Sequence, residues 1–210
     1  MISAKEALER LKTGNQRYVS GARQRSEKHA GFARRIELVH DQAPFTAILG
    51  CSDSRVAPEI VFDQGLGDLF VVRVAGNIAA PSQVGSIEFA AGYLETRLVV
   101  VLGHSRCGTI LAGMEAIHDP AATLSPDLSS LMDRIRPSIE AQLAMDTGVD
   151  RYAKVRDAVR ANIRVSVEQL RHGSKLLEQL IRTDGLQIIG AEYSLDTGVV
   201  DFFDGASVTG

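Results

Sequence analysis

The chain has 210 residues, 45% of them hydrophobic and 23% charged, which is the size and balance of one globular domain or at most two small ones. Its formal net charge is -3, so it lacks the strongly basic surface typical of nucleic-acid-binding proteins and of polybasic membrane-binding segments. No stretch approaches the ~18 apolar residues of a membrane span. We therefore expect no nucleic-acid or membrane partner, and a single domain over residues 1–210.

The chain begins with a predicted amphipathic helix. Ser3 and Glu6 form a capping box, and apolar residues then recur near helical spacing up to about Gly21. A second helical stretch is predicted for residues 26–40. We interpret residues 1–40 as an N-terminal helical arm that packs on another surface.

Four short apolar runs then alternate with helical patterns. Runs of this kind are typical of parallel strands buried on both faces. The predicted strands are residues 45–51, 69–74, 98–102 and 186–189. The predicted crossovers are residues 58–62, 82–94, 108–118 and 126–182. A hairpin at residues 193–202 adds an antiparallel edge strand, so the expected fold is α/β: a central, mostly parallel sheet flanked by helices.

Sulfur and imidazole ligands follow two of these runs. Cys51 ends the first predicted strand, and His104 and Cys107 follow the third. Because ligands collect at the carboxyl ends of parallel strands, these three residues are a candidate zinc site with a fourth position open. The alternative is that both cysteines are simply small apolar core residues, and spacing alone leaves both readings open. Two cysteines form no disulfide framework, so we expect a reducing, cytoplasmic location.

Asp53 and Arg55 follow the first candidate ligand. They can form a bidentate ion pair, although a solvated surface pair is the commoner arrangement. Beside zinc, Asp53 could itself occupy the fourth position, and Arg55 would decide whether it does. A zinc ion with two thiolates has a formal core charge of zero and acidifies water less than one with neutral ligands, so alkaline pH should favour activity.

Two sequence segments carry a resemblance to a known family. CSDSRV at residues 51–56 and HSRCG at residues 104–108 resemble the β-class carbonic anhydrases, as do residues 67–73 and 75–77 between them. The resemblance implies that Cys51, His104 and Cys107 bind one zinc ion per chain. It also implies that Asp53 and Arg55 form a catalytic dyad, with Asp53 as a fourth ligand in a closed state.

The same resemblance implies a substrate pocket. Gln42 would bind a substrate oxygen through its amide, and the backbone N–H of Gly108 would face the substrate. Phe70, Ala75 and Phe89 would line an apolar pocket for carbon dioxide, with Ala75 smaller than the valine of plant-like members.

The implied function is zinc-dependent reversible hydration of carbon dioxide to bicarbonate and a proton by a hydroxide on zinc. The chain has no tryptophan, and Ile48 stands where an allosteric subset of the family has one, so the open, non-allosteric type is expected. The family also implies a homodimer or homotetramer with active sites at the subunit boundary. The N-terminal helix, which we expect to lack a core of its own to cover, would then embrace a partner.

Other functions remain open at this point. The same site could hydrolyse carbonyl sulfide or carbon disulfide, or zinc could be purely structural with Asp53 as a permanent ligand, which an intact Arg55 disfavours. A thiol redox protein is disfavoured because no Cys-x-x-Cys pair occurs. The candidates for a proton shuttle are His29, His40, His118 and His172, and nothing in the sequence places any of them near zinc.

Overall fold

A central sheet organises the computed structural model of the chain, which describes residues 2–23, 31–118, 124–144 and 151–205. Within these residues the strands β1 to β5 are, in order, Thr46–Cys51, Leu69–Val74, Leu98–His104, Gln187–Tyr193 and Val200–Asp204. The helices α1 to α8 are Ala4–Val19, Phe32–Glu37, Pro58–Val61, Pro81–Gly92, Gly108–His118, Pro126–Leu143, Arg151–His172 and Lys175–Thr183. A 3₁₀ turn at Ala75–Asn77 follows β2.

The strands have the order β2-β1-β3-β4-β5. The first four are mutually parallel, and β5 pairs antiparallel with β4. The predicted α/β fold is confirmed, including the antiparallel edge strand. β1 and β3 lie in the middle and are buried along their whole length, which explains their uninterrupted apolar sequences.

Two strands are longer than predicted. β3 continues to His104 and β4 to Tyr193, because the pairing between them persists up to these two residues. The sequence-based prediction placed the end of each strand at the end of its apolar run. Backbone hydrogen bonds carry the strands onward through polar residues at the carboxyl edge of the sheet.

Helices cover both faces of the sheet. One core contains residues of α4 to α8 packed on one face, and the other contains α1 packed on the opposite face. Leu8 and Leu11 of α1 are 1% and 0% exposed and pack in the same cluster as Ile48 and Val100. The expectation that the N-terminal helix lacks its own core is therefore wrong, because the sheet face opposite α7 needs an apolar cover and α1 supplies it.

The remaining helical predictions differ in their boundaries. The predicted helical stretch 126–182 is divided into α6, α7 and α8, with Ser125 and Ser174 capping the first and the last of these. Of the predicted helix 26–40, the structure describes helical residues only at Phe32–Glu37, and residues 24–30 lie outside the described part. None of the described helices has the length and apolar character needed to cross a lipid bilayer.

Candidate metal centre

The two candidate ligand segments meet at the carboxyl edge of the sheet. Cys51 is the last residue of β1 and His104 the last of β3, and these strands are direct neighbours. Cys107 follows in the turn before α5. The sulfur atoms of the two cysteines and a ring nitrogen of His104 all lie within 4.8 Å of one another, and all three residues are buried.

The His104 ring is oriented by a backbone carbonyl. Its Nδ1 lies 3.0 Å from the oxygen of Ser105, which fixes the proton on Nδ1 and leaves a lone pair on Nε2. Nε2 is buried and has no hydrogen-bond partner among the described residues. A buried nitrogen lone pair facing two sulfurs is the arrangement that a bound cation would satisfy.

The two cysteines influence each other's ionisation. A hydrogen bond from the Cys107 thiol, supported by the backbone near Asp53 and Gly76, lowers the pKa of Cys51 to about 4 against the cost of its burial. The thiolate at Cys51 and desolvation in turn raise the pKa of Cys107. The pair therefore carries one negative charge at neutral pH, and a nearby cation is needed to ionise the second thiol.

Asp53 and Arg55 form a bidentate pair beside this cluster. Arg55 Nε donates to Asp53 Oδ1 at 2.9 Å, and Nη2 donates to Oδ2 at 2.7 Å. These bonds hold the pKa of Asp53 well below its usual range and raise that of Arg55. Asp53 Oδ2 also lies 3.7 Å from His104 Nε2, so the carboxylate faces the same space as the three candidate ligands.

Arg73 fixes the backbone of this segment, and sequence reasoning missed it. Its Nε donates to the carbonyl of Cys51 at 3.0 Å, and its Nη2 donates to that of Asp53 at 2.7 Å. The available signal was a charged residue inside the otherwise apolar run of β2. The side chain thereby ties the backbone of Cys51 and of Asp53 to the neighbouring strand.

Two of the predicted substrate-binding residues lie next to the cluster along the chain. Ala75 begins the 3₁₀ turn that packs against the end of β1, and Gly108 begins α5 directly after Cys107. Gly108 is exposed, and a β-carbon added there would meet nothing within 4 Å. A side chain at position 108 would therefore not clash with the rest of the chain.

The other three predicted substrate-binding residues lie away from the cluster of their own chain. Gln42 lines a surface hollow with Gly67 and Leu94, which precede β2 and β3, so it lies at the amino-terminal edge of the sheet. Phe70 is the second residue of β2, whereas Val74 at the end of that strand pairs with Cys51. At ~3.3 Å per residue, these four positions separate Phe70 from the cluster by roughly 13 Å.

Phe89 lies with Phe70 along the β2 side of the sheet. Their ring centroids are 6.2 Å apart, and Phe89 is 42% exposed. Among the described residues, the outer edge of β2 pairs with no other strand. The two phenylalanines therefore form part of a partly exposed apolar surface.

The histidines considered as proton shuttles lie elsewhere or outside the described residues. His40 is exposed in the hollow that contains Gln42, and His172 is exposed beside Glu168 near the start of β4. Both therefore lie at the edge of the sheet opposite the cluster. His29 and the side chain of His118 lie outside the part that the structure describes.

The donor set fits a zinc ion. Thiolate and imidazole are the ligands that zinc prefers, and three protein ligands leave the fourth tetrahedral position open. A cation bound at this point would balance the negative charge of the sulfur pair and would accept the lone pair of the unpartnered Nε2.

Comparisons with known proteins agree with this geometry. The family model described as carbonic anhydrase matches residues 46–200. A carbonic anhydrase of Mycolicibacterium smegmatis is 38% identical over 93% of this chain and 91% of its own length. Carbonic anhydrase 2 of Mycobacterium tuberculosis is 38% identical over 91% of this chain and 89% of its own. The crystal structure of the β-carbonic anhydrase CafA of Aspergillus fumigatus is 26% identical, with a TM-score of 0.73 over 82% of this chain and 81% of that one.

Proposed function

The chain belongs to the β-class carbonic anhydrases, zinc lyases that reversibly hydrate carbon dioxide to bicarbonate and a proton, and we propose that Cys51, His104 and Cys107 hold its zinc. One observation carries this assignment: two sulfurs and an unpartnered buried ring nitrogen lie within 4.8 Å of one another at one edge of the sheet. A single zinc ion per chain can bind all three ligand atoms.

Asp53 orients the attacking water. Zinc, when bound, acts as a Lewis acid that lowers the pKa of a water molecule. The carboxylate of Asp53 faces the ligand cluster and would accept a hydrogen bond from such a water, which would direct an oxygen lone pair at the carbon of the substrate. Its low pKa keeps Asp53 ionised through the neutral and alkaline range, so it serves as an acceptor and not as the proton store.

Arg55 keeps Asp53 available for this role. Both carboxylate oxygens of Asp53 accept hydrogen bonds from Arg55, which compensates the carboxylate charge without a bond to metal. This pairing supports the open site. Membership of the family makes the hydrolysis of sulfur analogues and a purely structural zinc unnecessary as explanations. Ala75 and the N–H of Gly108 are the substrate-facing groups that the chain supplies beside its own cluster.

A second copy of the chain supplies the rest of the substrate site. The outer edge of β2 has no strand partner among the described residues, and an open edge of this kind favours pairing with another chain. If two β2 edges pair about a twofold axis, the amino-terminal edge of one sheet meets the carboxyl edge of the other. Gln42, Phe70 and Phe89 of one copy then approach the zinc ligands of its partner.

The assembly is therefore a dimer at least, and two dimers can associate into a tetramer. Exposed apolar residues of α2 and the segment after it would extend the contact; these are Phe32, Ile36 and Val39.

The cytoplasm suits this chemistry. Both cysteines are free and buried, and a reducing compartment keeps them available as thiolate ligands.

Stopped-flow carbon dioxide hydration on protein of known zinc content, from about pH 6.5 to pH 9, tests the proposal. We expect activity that rises with pH, disappears on removal of zinc with a chelator and returns when zinc is restored. A Cys51→Ser variant should lose both zinc and activity. Retention of one zinc per chain by that variant would refute the ligand assignment.

A further inference from the structure

The turn that follows β2 has an uncommon backbone next to the zinc ligands. Gly76 and Asn77 have φ angles of 70° and 44°, so two consecutive residues lie in the left-handed region. A β-carbon at Gly76 would lie 2.8 Å from Cδ1 of Ile135 on α6, so a larger residue would have to displace that side chain and would be strained at this φ angle. Such a backbone persists only where its surroundings hold it in place.

A buried amide from a distant part of the chain holds this turn. Asn162 lies in the middle of α7, is 1% exposed, and donates from Nδ2 to the carbonyl of Gly76 at 2.7 Å. The two residues are 86 positions apart in sequence. Asn162 Oδ1 has no hydrogen-bond partner among the described residues. Within that part of the chain, the Asn162 side chain therefore hydrogen-bonds only to Gly76.

The turn is connected directly to a zinc ligand. The 3₁₀ turn packs against β1, and Val74, which directly precedes the turn, pairs in the sheet with Cys51 at the end of β1. The N–H of Ser52 donates to the carbonyl of Val74 at 3.2 Å, which keeps β1 and β2 joined at this point. The backbone conformation of the turn therefore bears directly on the position of Cys51.

We propose that Asn162 is a positioning residue for the zinc centre: by holding the carbonyl of Gly76, it fixes the turn that packs against the strand end at Cys51 and that carries Ala75. The proposal rests on the zinc ligands assigned above. Asn162 touches neither metal nor substrate, and acts only through the turn. Outer hydrogen bonds of this kind tune how tightly a ligand sulfur holds its metal.

An Asn162→Leu variant tests the proposal, since leucine matches asparagine in size and removes the donor. Zinc affinity measured by competition with a chromogenic chelator should weaken roughly 10- to 100-fold. In the cobalt-substituted protein the thiolate-to-cobalt absorption bands should shift. A Val167→Ala variant is the matched control, because Val167 is 0% exposed on the same helix and lies in the core. It should lower the melting temperature and leave zinc affinity and the cobalt spectrum unchanged.

The outcomes separate this inference from the ligand assignment. If folded Asn162→Leu protein binds zinc as tightly as wild type with an unshifted cobalt spectrum, the positioning role is refuted. Should that variant not fold, Asn162→Ala removes the donor without adding bulk or charge, and the same two readouts apply. If wild-type protein binds no zinc, or Cys51→Ser binds it with wild-type affinity, the ligand assignment fails instead.

Discussion

At the scale of single residues, the site depends on how two charges are compensated. Asp53 lies 3.7 Å from His104 Nε2, close enough to compete for the metal, yet Arg55 binds both of its oxygens. The pair is partly open to solvent, so its value lies in orientation rather than in stability. We therefore propose that Arg55 decides whether the fourth zinc position stays open.

An Arg55→Ala variant should close the site. Without its partner, the Asp53 carboxylate is free to bind zinc, and we expect the hydration rate to fall roughly 100-fold or more while zinc is retained. The measurement is stopped-flow hydration together with zinc-edge X-ray absorption, which should report one additional oxygen ligand from the protein.

Arg106→Ala is the control for this prediction. The Arg106 side chain pairs with Asp196 at 2.6 Å on the surface, and only its backbone carbonyl faces Arg55, so its loss should leave the rate near wild type. Full activity in Arg55→Ala would contradict the proposed role of the dyad.

The cysteine pair predicts how zinc binding depends on pH. The pKa of Cys51 is lowered to about 4 and that of Cys107 is raised, so the metal-free site holds one thiolate and one thiol at neutral pH. Zinc requires both thiolates, so its binding should release about one proton, and affinity should rise about tenfold per pH unit between about pH 5 and pH 8.

Calorimetric zinc titrations in buffers of different ionisation enthalpy would count these protons. A Cys107→Ser variant should bind zinc more weakly and release no proton from that position. Zinc uptake by wild type without proton release at pH 7 would show that both thiols are already ionised in the metal-free protein.

At the scale of elements, the site requires two neighbouring strands that end at the same level. Cys51 and His104 reach one another because β1 and β3 are parallel and adjacent. α1 supports this pair from one face, since Leu11 is fully buried in the cluster that contains Ile48 of β1 and Leu102 of β3. The N-terminal helix is therefore part of the core that holds the ligand strands.

A Leu11→Ala variant should lower the free energy of unfolding by about 2 to 5 kcal/mol, because it leaves a cavity against the central strands. Urea unfolding at a fixed protein concentration measures this change. Lys5→Ala on the exposed side of the same helix should have almost no effect. A similar small effect for Leu11→Ala would mean that α1 is not packed on its own sheet.

At the scale of the whole molecule, the substrate residues are divided between the two ends of the sheet. Gln42 lies at the amino-terminal edge, whereas the zinc ligands lie at the carboxyl edge of the same strand. At ~3.3 Å per residue, the six residues of β1 separate the two ends by about 17 Å. This separation supports our proposal that two copies of the chain complete each substrate site.

Subunit mixing would test this division. Gln42→Ala and Cys51→Ser are each expected to be nearly inactive as pure proteins. In an equal mixture that has exchanged subunits, half of the dimers are hybrids, and one site of each hybrid carries intact ligands and an intact glutamine. The mixture should recover about a quarter of wild-type activity.

Two controls accompany the mixing experiment. Sedimentation analysis should show dimers or tetramers for both variants, and a double Gln42→Ala, Cys51→Ser variant mixed with Cys51→Ser should recover nothing. If mixing the two single variants restores no activity despite proven exchange, Gln42 does not act across the interface.

Sequence patterns alone were sufficient to predict the sheet, its parallel strands, the antiparallel edge and the cluster of Cys51, His104 and Cys107. These features depend on local signals: apolar runs, breaks between them, and ligand residues placed directly after strands. Parallel strands must end at a common edge, so position along the chain predicts proximity there.

Features that depend on contacts between distant segments could be seen only in the folded chain. The tertiary structure placed α1 on its own sheet, Arg73 on the ligand segment, Asn162 on the turn at Gly76, and Gln42 at the edge opposite the zinc ligands. Side chains that act from 20 to 90 residues away leave no periodic pattern in the sequence. Their partners are fixed by the packing of helices on the sheet.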